Sequence, residues 1–238
     1  METESQIDGE AKRATVRKAV GRLCVISMVV ALCLFGTAGT VSWMNGWIFM
    51  IAYLLVLVTL TGLVFRSSPE LVRERMDASR NAKSWDKVIV PILAMVLPLL
   101  SVVLAGLDHR FGWTRSFGPA AALTAFFVMM AGNGLTLWAM RVNRFFSSHV
   151  RIQSDRGHHV VTDGPYGWIR HPGYTGSILF NVASPVLLGS FPAIAVGIAF
   201  ALLMTVRTAL EDATLRAELP GYDAYTRKTR WRLLPLIW

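Results

Sequence analysis

Residues 172–206 read PGYTGSILFNVASPVLLGSFPAIAVGIAFALLMTV, with no charged side chain anywhere in the run. As a single helix the run would be roughly 50 Å long, at about 1.5 Å per residue. The hydrocarbon layer of a bilayer is only about 30 Å thick. Gly189-Ser190-Phe191-Pro192 breaks the run near its middle. Ser190 suits a helix cap there, and Pro192 suits the first turn of the next helix. The run therefore predicts a hairpin of two shortish membrane helices.

Outward from the hairpin, four further apolar runs are legible: Leu23 to Trp43, Gly46 to Phe65, Val88 to Leu107 and Pro119 to Met140. Each is about the length that crosses a bilayer. The expected fold is all-α and polytopic, with about six transmembrane helices and the last two forming the hairpin. The chain is 53% hydrophobic and 16% charged, far below the roughly 25% charged of soluble domains. Its +9 net charge follows topology rather than nucleic-acid binding. Segments 1–22, 66–87, 141–171 and 207–238 carry 5, 6, 5 and 6 Lys and Arg, leaving Arg110 and Arg115 of the 24. Six spans put all four segments on one side, and the positive-inside bias makes that side cytoplasmic. Both termini are then expected in the cytoplasm. The polar start and the spanning length of the first run do not read as a cleavable signal peptide. Cys24 and Cys33, nine residues apart, point to opposite faces of a helix and read as packing residues.

The connector 66–87 is expected to start a surface helix at Ser68-Pro69-Glu70. Pro91 and Pro98 are expected to bend the third span. Gly132-Asn133-Gly134 reads as a close helix contact, with an inward-facing polar site at Asn133 as the alternative. Arg207 and Glu211, four residues apart, share a helix face at the membrane boundary and read as facing a polar cavity. Tyr222 and Tyr225 read as packing or interface anchors, and the basic, tryptophan-bearing tail as lying on the membrane surface. Two units are expected: 1–118, N-terminal spans and connector, and 119–238, a core holding the site.

Just before the hairpin, His158 to Gly176 holds three of the five histidines together with Gly164-Pro165 and His171-Pro172-Gly173. Such chain breakers exclude a continuous helix. Irregular backbone beside a bilayer must line a polar cavity or lie on the surface. The candidates gathered here are Gln153, His158, His159, Tyr166, Arg170, His171, Tyr174, Arg207 and Glu211. There is no His-Glu-x-x-His, no Gly-x-Ser-x-Gly elbow and no P-loop in the chain, so neither a metal ion nor a hydrolytic serine is expected. What remains is a pocket of hydrogen-bonding, cationic and aromatic groups, open to water and to lipid. It suits a nucleotide-like cofactor from water and an apolar substrate from the bilayer.

These residues carry a resemblance. Gln153, His158-His-Val-Val-Thr-Asp-Gly-Pro-Tyr166, Arg170-His171-Pro172-Gly173-Tyr174-Thr-Gly176, Arg207-x-x-x-Glu211, Tyr222-x-x-Tyr225 and Pro235 together resemble the isoprenylcysteine carboxyl methyltransferase family. The resemblance covers about residues 130–238. It implies an S-adenosylmethionine-dependent methyltransferase with a cytoplasm-facing pocket. By position it implies cofactor contacts from Gln153, His158, His159, Val160, Val161, Tyr166, His171, Pro172, Gly173, Tyr174 and Glu211. Arg207 matches the arginine placed near the substrate, and catalytic roles fall to Arg207 and Glu211. Asp212 departs from the second glutamate of many relatives, and His159 occupies a variable position.

The chemistry agrees with that implication. His171 and loop N–H groups suit the cofactor's carboxylate. Glu211 suits its ammonium or ribose, and Tyr166 and Tyr174 suit its adenine or sulfonium. An acceptor carboxylate needs no general base, and Arg207 would orient it. A small thiol or phospholipid amine would need a base first. The implied partner is a lipophilic or lipid-modified substrate that enters from the bilayer. The alternative class is an NADPH-dependent reductase like the membrane sterol reductases, whose corresponding stretch carries Asn where this chain has Gly173. A non-catalytic membrane protein is disfavoured because the titratable and aromatic groups gather on one side.

Overall fold

The computed structural model describes residues 2–67, 82–115 and 117–238. Among these, every regular element is helical, with no strand. Helix α1 spans Glu2–Ala38 and ends at Gly39, whose φ of +68° is the left-handed geometry of a helix stop. Helix α2 spans Met44–Ser67. The expected start of a helix at Ser68-Pro69-Glu70 lies outside the described residues. Helix α3, Ser84–Pro91, passes through a single π-turn, Ile92–Val96, into α4, Leu97–Phe111. The two expected bending prolines, Pro91 and Pro98, flank that turn. A proline removes an N–H from the helical ladder, and the wider i→i+5 turn accommodates the loss.

Helix α5 spans Pro119–Val142, α6 Pro172–Leu188, α7 Phe191–Glu218 and α8 Tyr222–Lys228. The hairpin turn is built as expected. Ser190 Oγ accepts from the backbone N–H of Ala193 at 3.3 Å, and Gly189 has φ +77°. Its second arm, however, is not short. Helix α7 has 28 residues and carries Arg207, Glu211 and Asp212 in its second half. Charge alone does not end a helix, and no proline or glycine interrupts this one after Gly197.

Counting α3 and α4 as one, the described residues make six helical passes. Five helices, Val20–Ala38, Met44–Leu63, Ser84–Phe111, Pro119–Val142 and Phe191–Glu218, are long and apolar enough to cross a membrane. The sixth, α6, has 17 residues, about 25 Å. It is enclosed by α5 and α7 and touches α2 and α4. Lipid contact therefore does not set its length.

Backbone approach is closest between α5 and α6. A Cβ on Gly132 would come within 2.6 Å of the Gly176 carbonyl oxygen, so the expected small-residue contact is present. The neighbouring Asn133 is buried and donates to Thr59 of α2 at 3.4 Å. Leu34, Met129 and Leu187 lie at the centre of the apolar core.

The short connections gather at one end. Trp43 stacks on His109 with centroids 4.3 Å apart, and Phe191 N–H donates to Thr114 Oγ1 at 3.1 Å. The opposite end carries the loop 143–171, α8 and the tail. The tail does not simply lie on a surface. Tyr222, Tyr225 and Thr226 of α8 are buried, whereas Leu234, Leu236 and Ile237 are exposed.

Candidate functional site

The loop 143–171 is shaped by its own polar side chains. Asn143 ends α5; its Oδ1 accepts from Phe145 N–H at 2.8 Å and its Nδ2 donates to Tyr166 Oη at 3.2 Å. Gln153 is 1% exposed. Its Nε2 donates to Phe145 O at 2.8 Å and its Oε1 accepts from Arg156 Nη1 at 2.6 Å. The Gln153 amide is thus committed to holding the loop.

After the left-handed turn at Gly157 the chain presents His158 and His159 on either side of Phe145, at 4.5 and 4.9 Å between ring centroids. His158 Nδ1 accepts from the Gln153 N–H at 3.3 Å, so its proton belongs on Nε2. Burial, with His159, Arg151 and Arg156 nearby, lowers the His158 pKa to about 4. The ring is therefore neutral at pH 7 and offers one donor.

A turn of 3-10 helix, Gly164–Gly167, carries Tyr166 inward. Burial raises the pKa of this phenol well above its ordinary value, and its backbone oxygen accepts from Tyr225 Oη at 2.7 Å. The next residues are pinned by the tail. The N–H groups of Arg170 and His171 donate to the carbonyls of Trp231 and Arg232, both at 2.9 Å. Thr175 Oγ1 adds a 2.8 Å bond to Leu233 O.

Asp212 of α7 ties these pieces together. It is 1% exposed. Arg170 Nε lies 3.3 Å from Oδ1, Arg232 Nε 3.1 Å from Oδ2, and Arg216 Nε 3.6 Å from Oδ2. Tyr222 Oη donates to Oδ1 at 3.0 Å. His171 sits between two carboxylates, its Nε2 3.6 Å from Asp212 Oδ1 and its Nδ1 4.0 Å from Glu211 Oε2. Neither distance is a hydrogen bond, and the buried Nε2 has no hydrogen-bond partner among the described residues.

The His171 ring stacks beside Tyr174 at 5.5 Å. Tyr174 Oη donates to Glu211 Oε2, and the Arg207 guanidinium carbon lies 4.9 Å from the Tyr174 ring centroid. Arg207 in turn donates from Nε to Asp86 Oδ1 at 2.8 Å and from Nη2 to Ser148 O at 2.9 Å.

These groups surround one cavity, with about 800 Å³ of empty space including its open mouth. Gln153, His158, His159, Val160, Val161, Tyr166, His171, Gly173, Tyr174 and Glu211 all line it, as do Phe145, Tyr222 and Tyr225. Two expected residues do not. Pro172 is buried at the start of α6, and Arg207 stands behind Tyr174. Chemically the cavity offers aromatic faces that attract a cation, a carboxylate from Glu211, and imidazole donors.

Three residues of the arrangement were not singled out from sequence. Asp86 has no distinguishing local pattern. Asn143 follows the apolar run without a motif. Asp212 stands out only as a second carboxylate beside Glu211, and nothing in its surroundings along the chain marks it as the centre of an ion network. Arg170, a candidate from sequence, lines the cavity and is held by Asp212.

Residues 123–217 match the model of the isoprenylcysteine carboxyl methyltransferase (ICMT) family. The chain is 29% identical over 101 residues to protein-S-isoprenylcysteine O-methyltransferase A of Arabidopsis thaliana, covering 40% of this chain and 48% of that protein. It is 35% identical over 52 residues to the protein-S-isoprenylcysteine O-methyltransferase of Schizosaccharomyces pombe, covering 22% of each. The chain thus spans half or less of these curated relatives. The resemblance inferred from residues 130–238 is found again over residues 123–217, which contain most of the cavity lining; Tyr222, Tyr225 and Pro235 lie beyond the match.

Proposed function

We propose that the chain, which resembles the isoprenylcysteine carboxyl methyltransferases over the half that holds its cavity, is an integral membrane methyltransferase. In this reading it uses S-adenosylmethionine and methylates a carboxylate of a lipophilic, isoprenylcysteine-like acceptor. The observation that carries the reading is the cavity itself. It joins the Tyr174–Glu211 pair, the His171 ring, whose buried Nε2 has no hydrogen-bond partner among the described residues, and the tyrosine faces within residues matched by the family.

The lining suits the cofactor on its own chemistry. Glu211 is about one-fifth exposed at its side chain and is the carboxylate available to an ammonium or a ribose hydroxyl. His171 and the neutral His158 are donors suited to a carboxylate or a ring nitrogen. Tyr166 and Tyr174 present faces to an adenine or a sulfonium. When bound, S-adenosylmethionine supplies a methyl group on a positively charged sulfur.

The chain's own contribution to transfer is placement, and alignment of reacting groups is worth roughly 7–11 kcal/mol. Tyr174 holds Glu211 in one orientation. Arg207, one layer behind Tyr174, contributes positive charge at the acceptor end. A carboxylate acceptor is already a nucleophile, so no side chain has to take a proton from it. The acceptor would come from the bilayer beside α5 to α7. With the positive-inside distribution, the cavity end and both termini face the cytoplasm.

The test is binding and turnover by the purified protein in lipid nanodiscs. S-adenosylmethionine and S-adenosylhomocysteine are expected to bind, and a prenylated cysteine with a free carboxylate is expected to be methylated. Binding of NADPH with no affinity for either methyl-cycle ligand would overturn the reading in favour of a reductase.

A further inference from the structure

Asp86 lies in the first turn of α3, outside the family-matched residues and outside the cavity lining. It is nonetheless 0% exposed and bonded on both oxygens. Oδ1 accepts from Arg207 Nε at 2.8 Å; Oδ2 accepts from Arg207 Nη2 at 3.3 Å and from the Val150 N–H at 2.8 Å. Lys83 N–H donates to Val150 O at 3.2 Å, closing the same junction. The start of α3 therefore grips both the arginine behind Tyr174 and the loop wall around Val150.

Arg207 has a second carboxylate close by. Glu211 is four residues on and shares its helix face, the spacing at which opposite charges pair. Tyr174 connects the two, with the guanidinium against its ring and its hydroxyl on Glu211. A buried arginine deprived of Asp86 will turn to the nearest anion, because an unpaired charge in a low-dielectric interior is strongly unfavourable. That anion is Glu211.

We infer that Asp86 is a positioning residue that keeps Arg207 off Glu211. Glu211 is thereby left available to a cationic or hydroxyl-bearing ligand in the cavity. The N-terminal half thus controls the ligand-binding carboxylate of the C-terminal half without touching the cavity. The ligand readout below rests on the methyltransferase reading; the chemical readout does not.

The experiment compares wild type, Asp86→Asn and the double variant Asp86→Asn/Arg207→Gln in nanodiscs. S-adenosylhomocysteine affinity should fall about 10- to 100-fold in Asp86→Asn, the range for losing a charge-assisted contact. Affinity, though not turnover, should return to within about threefold of wild type in the double variant, which has no capturing charge and has lost only the arginine assigned to the acceptor. A purely structural role for Asp86, in which the buried Arg207 is merely left unpaired, also predicts recovery in the double variant, but it predicts no protection of Glu211 from chemical modification, and that readout separates the two. Asp86→Asn that binds like wild type, or a double variant weaker than the single, overturns the inference. If Asp86→Asn does not fold, Asp86→Glu takes its place: it keeps the charge but displaces it from Arg207, so partial protection of Glu211 supports the inference and modification at the wild-type level overturns it.

The same proteins are treated with a water-soluble carbodiimide, and Glu211 modification is read by mass spectrometry. Protection in Asp86→Asn and its loss in the double variant support the inference even if wild type ignores S-adenosylhomocysteine. That silence would sink the methyltransferase reading alone. Equal Glu211 modification in all three proteins would sink the inference alone.

Discussion

Tyr174 donates its hydroxyl hydrogen to Glu211 Oε2 while the Arg207 guanidinium rests against the same ring. One side chain thus sets the orientation of the cavity's carboxylate and also touches the arginine behind it. Tyr174→Phe keeps the ring and removes the donor. Glu211→Gln keeps the shape and removes the charge. Hydrogen bonds to charged groups contribute about 1.5–3 kcal/mol. Glu211→Gln is therefore expected to weaken S-adenosylhomocysteine binding by roughly 10- to 100-fold, with Tyr174→Phe weaker in effect. Calorimetry on nanodisc samples checks this, and unchanged affinity in Glu211→Gln removes Glu211 from the ligand site.

Asp212 carries the stability of the site end. Arg170, Arg216 and Arg232 converge on it, and Tyr222 donates to it. Asp212→Ala leaves the buried Arg170 without its anion, an event that costs about 3–5 kcal/mol. Tyr222→Phe removes one hydrogen bond and is expected to cost about 1 kcal/mol. Thermal unfolding of both variants reads the difference. An Asp212→Ala protein as stable as wild type would mean that the network is not load-carrying.

The α5–α6 contact separates two glycines by their surroundings. A Cβ on Gly176 would run into the Gly132 carbonyl oxygen and Thr136, which are backbone and a packed side chain, whereas Gly134 has nothing within 4 Å. Gly176→Ala should destabilise by about 1–3 kcal/mol or more through overpacking. Gly134→Ala should stabilise by up to about 1 kcal/mol through helix propensity. The opposite signs in one unfolding assay are the expected result.

His158 supplies a pH dependence. Its folded pKa is lowered to about 4, chiefly by burial, against about 6.5 unfolded. The depressed value means the folded state favours the neutral ring. Its contribution to stability is fully present above the unfolded pKa and is lost as pH falls through the folded value. Stability should therefore decline between about pH 6.5 and 4, and His158→Gln should flatten that decline. Melting curves of wild type and variant across this window decide it.

Topology is testable by cysteine chemistry. In a Cys24→Ala/Cys33→Ala background, Arg115→Cys should react with an impermeant reagent from outside intact cells. Ser154→Cys should react only after permeabilisation. Labelling of both from the same side would overturn the cytoplasmic placement of the cavity.

Much of the fold was legible because hydropathy and turn chemistry are local. The uncharged run 172–206 and Ser190-Phe191-Pro192 specify a hairpin, and the cap bond from Ala193 N–H to Ser190 Oγ is the feature expected. Pro91 and Pro98 announced a disturbed helix. Their exact outcome, a π-turn, depended on packing. The length of α7 was underestimated because the sequence reading stopped the helix at its first charge. Buried partners for Arg207 and Asp212 allow the helix to continue.

The site divides in the same way. The amino-acid sequence by itself pointed to most of the residues that line the cavity, because local spacing keeps His171 and Tyr174 a turn apart at the start of α6; Pro172 and Arg207 fall outside the lining. Only the tertiary structure decided how those residues are held. Asp86 reaches Arg207 across 121 positions, and Asp212 collects cations from the loop, its own helix and the tail. Such pairings have no periodicity to read along the chain. They arise where folding removes water from charges that are distant in sequence, and each charge then requires whichever opposite partner the packing brings within reach.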